Sequence, residues 1–285
     1  MKACARGFTL IELAVGVFII ALLMSSLMYT LSAQSDQRAI EETRQRLEKA
    51  RELLLGYVAA NGRLPCPARC SSWPTCASGM YATSDEVWDS TTGKCTGGAV
   101  DDYYGGTLSS GAIGGLLPAA TIGFLQTDTR GYAVDAWGNR IRYAVAKARA
   151  TGTCGTTPPA GTIIWTHANN LKTYGMACQP DDLLICKSST GITSSACGGV
   201  ANQIMTQSLV VAIVFSTGKN GSINAAGAGA DEQANLNGAG SADPVFVYHA
   251  RQPADAVSGG EFDDQFTWIT VGELMGRLVM AGRLP

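Results

Sequence analysis

Arg6-Gly7-Phe8-Thr9-Leu10-Ile11-Glu12-Leu13 opens an apolar run on which the reading of the whole chain turns. Lys2 and Arg6 precede it, and residues 8–33 carry one formal charge, Glu12, and no proline. A run of this length suffices for a helix to cross a bilayer, which takes about 20 apolar residues. The basic flank predicts that the first residues stay on the cytoplasmic side and that the rest is exported. The run is too long for an ordinary secretory signal, and no Ala-x-Ala-like cleavage site follows it. The small residue lies ahead of it instead, at Gly7. Cleavage there would remove a basic leader, residues 1–7, and leave the apolar helix on the mature chain.

Glu12 is the second oddity. A carboxylate at the centre of a membrane span costs about 3 kcal/mol on insertion scales, so it calls for a positive partner at its own depth. Cleavage after Gly7 would create one, the α-amine of Phe8. Glu12 of one subunit would then pair with Phe8 of its neighbour. The plainer alternative is that Glu12 lies near the interface and snorkels to water.

Basic leader, glycine, phenylalanine, a glutamate four residues on and then an uninterrupted apolar helix: this pattern resembles the processing site of type IV prepilins and type II secretion pseudopilins. The resemblance implies a prepilin peptidase that cuts after Gly7 and methylates Phe8, with Glu12 as the assembly glutamate. It also implies an α+β, pilin-like fold. A long N-terminal helix, transmembrane in its first half, would pack on an antiparallel β-sheet head with disulfide-rich loops. The expected organisation is a leader at 1–7, a helix at 8–62 (apolar at 8–33, amphipathic at 34–62) and a globular head at 63–285.

Composition agrees with an exported head. The chain has 285 residues with 21 basic and 23 acidic side chains; loss of Lys2 and Arg6 leaves 19 basic. That balance gives no electrostatic footprint for nucleic acid. Charged residues are only 15% and glycines number 34, which favours a loop-rich β head over a helical bundle. Nine cysteines occur, of which Cys4 lies in the leader. The remaining Cys66, Cys70, Cys76, Cys95, Cys154, Cys178, Cys186 and Cys197 form an even set, which in an exported domain reads as disulfides. No Cys-x-x-Cys occurs, so zinc-ribbon and thioredoxin readings are weak. Two sequence clusters, 66–95 and 154–197, make pairing within each cluster the economical expectation.

Beyond the apolar run, residues 36–51 are charged but contain neither glycine nor proline. Ile40, Leu47 and Leu54 recur every seven residues, and Ala50, Tyr57 and Val58 fill the same face. Asn61-Gly62 reads as the stop, with Pro65 and Pro67 beyond it. One helix is therefore expected over residues 8–60, its second half lying against a sheet. Residues 63–115 read as irregular and stapled by cysteines, with Asp101-Asp102-Tyr103-Tyr104 as ordinary exposed loop or, alternatively, a surface contact site. Strands are expected at 140–145, 162–167, 207–216, 244–249 and 261–269, the third almost wholly apolar and hence central. Residues 224–242, rich in Gly, Ala and Asn, read as a mobile loop and lack the ending of a phosphate loop. Thr270-Val271-Gly272-Glu273 fits a capping box, followed by a helical face of Val271, Leu274, Met275, Leu278 and Val279.

Further resemblances are local. Asp135-Ala136-Trp137-Gly138-Asn139 before a strand is similar to a segment of the major pseudopilins, although Ala136 stands where a proline is usual. Ser216-Thr217-Gly218-Lys219-Asn220-Gly221 is similar to a turn of the pilin-like head. Asp263-Asp264 lie near the place where major pseudopilins hold calcium, and hard oxygen ligands suit that ion. No other cofactor is implied. No enzyme is expected either: His167 and His249 are the only histidines, and no Gly-x-Ser-x-Gly elbow accompanies them.

The sequence thus reads as a subunit, minor or specialised, of a type IV pilus or type II secretion pseudopilus. Its implied partners are the prepilin peptidase, other pilin or pseudopilin subunits and the bacterial inner membrane. The head would be periplasmic at first and later part of a filament or the cell surface. The competing class is a membrane-anchored periplasmic binding protein or enzyme that never polymerises.

Overall fold

The computed structural model describes residues 9–70, 84–89, 95, 113–146, 164–175, 177, 179–180, 182–221, 229–235, 244–253 and 260–284. The chain divides into two units, residues 1–42 and 43–285. Helix α1, Leu10–Asn61, begins in the first. There its apolar side chains are bare: Leu10 is 88% and Ile11 72% exposed, and Phe18, Ile20 and Leu23 are similarly open. So much contiguous apolar surface marks an interaction face. Among the described residues no helix is long and apolar enough to cross a membrane.

In the second unit the expected face of α1 is the buried one. Leu47, Ala50, Leu54, Leu55 and Val58 join one core with the main sheet, and Tyr57 packs half-buried against it. Each fully buried leucine contributes about 2 kcal/mol. The helix ends as Asn61-Gly62 predicts: Gly62 is left-handed at φ 70°, and its N–H donates to the Val58 carbonyl at 2.8 Å. The last carbonyls are capped from the far end of the chain, where the Arg283 guanidinium donates to Ala59 O and Ala60 O.

The main sheet has five strands in the order β1-β2-β3-β6-β8, antiparallel throughout. Its members are β1 (Ala68–Cys70), β2 (Ile113–Leu116), β3 (Arg142–Val145), β6 (Val210–Ser216) and β8 (Gln265–Thr270). β6 is buried at every residue, as its unbroken apolar run requires. β1 and β2 fall in the stretch read as irregular; three or four residues with adjacent glycines show no period to detect. Between β2 and β3 lies a short helix α2, Ala119–Ile122.

A second sheet has the order β5-β4-β7, with β4 at Leu184–Cys186, β5 at Gln203–Met205 and β7 at Val245–Val247. Here the head departs from a purely antiparallel expectation. β4 and β7 run parallel, Ile185 opposite Phe246, because residues 187–244 form a crossover long enough to return the chain in the same direction. The strand expected at 162–167 is not formed in its described part. His167 N-caps helix α3, Ala168–Tyr174, its ring accepting from Asn170 N. The loop expected at 224–242 contains helix α4, Ala230–Asn235. The chain closes with helix α5, Val271–Met280, whose Leu274 and Leu278 are buried while Val279 stays outside.

Candidate functional site

The singled-out residues fall in two places, one in each unit. At the start of α1, Gly7 and Phe8 lie outside the described residues, and Glu12 is exposed. Its carboxylate accepts both the backbone N–H and the hydroxyl of Thr9, each at 2.9 Å, while Thr9 Oγ1 accepts from Glu12 N at 3.4 Å. That reciprocity is a capping box, with Thr9 as cap and Glu12 three residues on. Thr9-x-x-Glu12 carries that signal in the sequence, but the larger motif around it absorbed the glutamate.

The second place is a buried polar core in the head, built from two interlocked turns. Asp135, 1% exposed, closes the first turn by accepting from Trp137 N at 2.9 Å and Asn139 N at 2.8 Å. Its other oxygen accepts the Ser216 hydroxyl at 2.6 Å. α1 holds the same turn from outside: Arg46 Nη1 donates to Val134 O and Asp135 O, and Thr43 Oγ1 accepts from Ala136 N. Burial pushes the Asp135 carboxyl up from its ordinary value, and these donors pull the other way.

The second turn follows β6. Ser216 Oγ accepts from Gly218 N, and Asn139 Nδ2 donates to Gly218 O at 2.7 Å. Gly218 is left-handed at φ 66°, and a Cβ there would lie 1.8 Å from Asp263 Oδ1. Only glycine fits so close an approach. The turn then presents Lys219 N and Asn220 N to Asp263 Oδ2, at 2.9 and 3.4 Å.

Asp263 and Asp264 therefore do come together, and with a partner the sequence hid. Glu232 of α4 joins them, ligand oxygens from the three carboxylates all lying within 4.8 Å of one another. All three are buried. Glu232 accepts from Asp263 N at 2.5 Å and from Asn220 Nδ2 at 2.7 Å. Asn235, one turn on, donates to Asp264 Oδ2 at 2.8 Å and exchanges two bonds with the backbone of Val247 in β7. Asp263 Oδ1 is buried with no hydrogen-bond partner among the described residues. Burial pushes Glu232 up to about 7 and Asp264 well above its ordinary value; Asp263 moves the same way. Three acids gathered like this stay neutral or share a cation. Opposed oxygens around calcium, at 2.3–2.6 Å each, lie about 5 Å apart, so the spacing fits that ion.

Of the other singled-out residues, those that the structure describes make local contacts. His249 Nε2 meets Asp231 Oδ2 at 3.1 Å, and its ring packs on Phe262. Asp101-Asp102-Tyr103-Tyr104 lie outside the described residues. Cys66–Cys95 and Cys186–Cys197 are disulfides, each within its own sequence cluster, and Cys70 is disulfide-bonded as well. Loops of 29 and 11 residues correspond to about 3.6 and 2.8 kcal/mol in the chain-entropy picture. Cys76, Cys154 and Cys178 lie outside the described residues.

An N-terminal helix followed by an antiparallel sheet and disulfide-stapled loops is an α+β architecture consistent with pilin-like proteins. Residues 2–28 match the prokaryotic N-terminal methylation motif, the signal of type IV pilin and pseudopilin precursors. No curated protein and no solved structure matches the chain. The motif points to a structural, pilin-type protein.

Proposed function

We propose that this chain is a minor or specialised filament subunit of a type IV pilus or a type II secretion pseudopilus. Prepilin peptidase cleaves it after Gly7 and methylates Phe8. Residues 8–33 anchor it in the inner membrane with the head in the periplasm, and assembly then packs these helices together through Glu12. The observation that carries the reading is the methylation motif at residues 2–28, set at the start of a helix whose apolar side chains are exposed. Mass spectrometry of the first peptide, from cells that express the peptidase, tests it. A chain beginning at N-methyl-Phe8 is expected. A chain retaining its leader would leave a tethered domain that does not polymerise.

We further propose that Asp263 and Asp264 hold a calcium ion in the head. Support comes from their burial, from the spacing of the carboxylate oxygens and from the partnerless Asp263 Oδ1. Calorimetric titration of the full chain in detergent with calcium chloride should show heat at or below millimolar calcium, the range of exported calcium modules. No heat there would remove the proposal.

A further inference from the structure

A cleft of about 300 Å³ opens on the head where α1 meets β8. Its walls are Glu48 and Arg51 of α1, Tyr248 just past β7, and Phe266, Thr267 and Trp268 of β8. Among the described residues β8 is the outer strand of the main sheet. The three rings are half-buried and backed by the core: Phe266 stacks on Phe215 at 4.9 Å and meets Phe246 edge-on at 6.4 Å. Tyr248 stands 5.7 Å from Phe266 and 5.6 Å from Trp268, turned 73° to the indole.

Charge around the cleft is uneven. Arg51 is shared by three acids: both Glu273 oxygens take its Nη2 at 2.7 Å, whereas Glu48 and Glu52 lie 3.5 and 3.9 Å from its Nη1. Arg277 reaches Glu52 at 3.4 Å, so three carboxylates face two guanidiniums. Glu48 is the acid turned toward the rings, because the Thr267 hydroxyl donates to its Oε1 at 3.1 Å, and its side chain is 56% exposed. Aromatic rings beside an incompletely matched carboxylate suit a cation, since the ring faces and the acid attract the same charge. Arg51 Nε also donates to Trp268 O at 3.1 Å, so a charged side chain already covers the edge of β8, one of the ways in which sheets turn away an added strand. The cleft therefore fits a side chain better than a strand.

We infer that this cleft receives a lysine or arginine side chain of a neighbouring subunit, its charge against Glu48 and its stem along Tyr248 and Trp268. The inference rests on the filament reading for its partner, though not for its chemistry. On that reading subunits pack along α1, and Glu48 and Arg51 belong to α1, so the cleft opens beside the element that neighbours approach.

Full-length protein carrying fluorotryptophan tests it. In detergent the protein is titrated with Nα-acetyl-lysine amide, and with Nα-acetyl-norleucine amide as the uncharged counterpart. Fluorine resonances are recorded, and Trp268→Phe assigns the Trp268 signal among the five tryptophans. The lysine probe should shift that signal saturably and the norleucine probe should not. Glu48→Gln can still accept from Thr267; it should weaken binding about threefold or more. Hydroxyl-radical footprinting then compares subunits in detergent with sheared filaments, where oxidation of Trp268 and Tyr248 should fall severalfold. If the lysine probe does not bind, if the norleucine probe binds equally, or if Glu48→Gln binds as wild type does, the inference is overturned while the filament reading stands. The same holds if Trp268 is oxidised equally in filaments and in detergent. If no filaments form, the filament reading and this inference fall together. Unchanged signals from the other tryptophans show that Glu48→Gln remains folded.

Discussion

Asp135 is an acid in the core whose cost is met by geometry. Two backbone amides and one hydroxyl converge on it from two turns, so truncation would strand three donors at once. Asp135→Ala should lower unfolding stability by about 3 kcal/mol, since each buried donor left unpaired costs about 1–3 kcal/mol and partial relaxation recovers some. A chemical denaturation midpoint at unchanged slope would show it. The carboxyl also leaves a signature in pH. Its folded value is raised, so the folded chain holds this proton more tightly than the unfolded chain. The associated stability is complete below the unfolded value and is lost as pH climbs through the folded one. Asp135→Asn carries no such proton. Its melting temperature should therefore gain on wild type as pH rises above the ordinary aspartate value, about pH 4, and a constant gap would contradict the raised value.

The end of α1 shows how one element is tied into the head by side chains distant in sequence. Arg63 forms a bidentate pair with Glu86, at 2.6 and 2.8 Å, and lies 3.6 Å from the centre of the Trp88 ring. Glu86 also accepts from Tyr57 OH and Cys66 N, so helix, disulfide and the 84–89 segment meet on one carboxylate. Removing one partner of so buried a pair leaves the other charge uncompensated. Arg63→Ala should thus destabilise by about 3–5 kcal/mol, read as a loss in thermal midpoint, whereas Arg277→Ala, whose pair with Glu52 is exposed, should change little. None of this was visible beforehand, because Arg63 and Glu86 have no sequence spacing that links them. What was legible were features with a local period or a local stop: Leu47 and Leu54 on α1, the glycine at 62, the continuous β6. The cap of α5 was half legible. Thr270 accepts from Glu273 N as expected, but the Glu273 carboxylate turns outward to Arg51 at 2.7 Å instead of back to the cap. Glu232 was illegible for the same reason as Glu86. It lies 31 residues from Asp263 within a Gly, Ala and Asn-rich stretch, and only the chain's crossover brings it there.

Across the molecule, the head is self-sufficient in a way that the first unit is not. The head buries apolar residues in one large core and two smaller clusters and closes loops with disulfides. The apolar side chains described in the first unit are exposed, which marks an interaction face, and on the proposed function lipid and other subunits are what they meet. Glu12 decides between these two. Bonded to Thr9, it is satisfied locally, and a chain that only needed anchoring could keep that arrangement or replace the acid without loss. On the proposed function, an assembling chain needs the charge itself, to meet the amine that cleavage would expose at Phe8. Glu12→Leu lowers the cost of membrane insertion by about 3 kcal/mol, so insertion should be retained or improved. Filament recovery by shearing, or incorporation of the variant into filaments built mainly of wild-type subunits, should nevertheless fall to background. Glu12→Gln separates the contributions, because it can still accept from Thr9 while lacking the charge. If Glu12→Gln assembles as wild type does, Glu12 acts only as a helix cap, and the pairing with Phe8 must be abandoned even if N-methyl-Phe8 is found at the mature N-terminus.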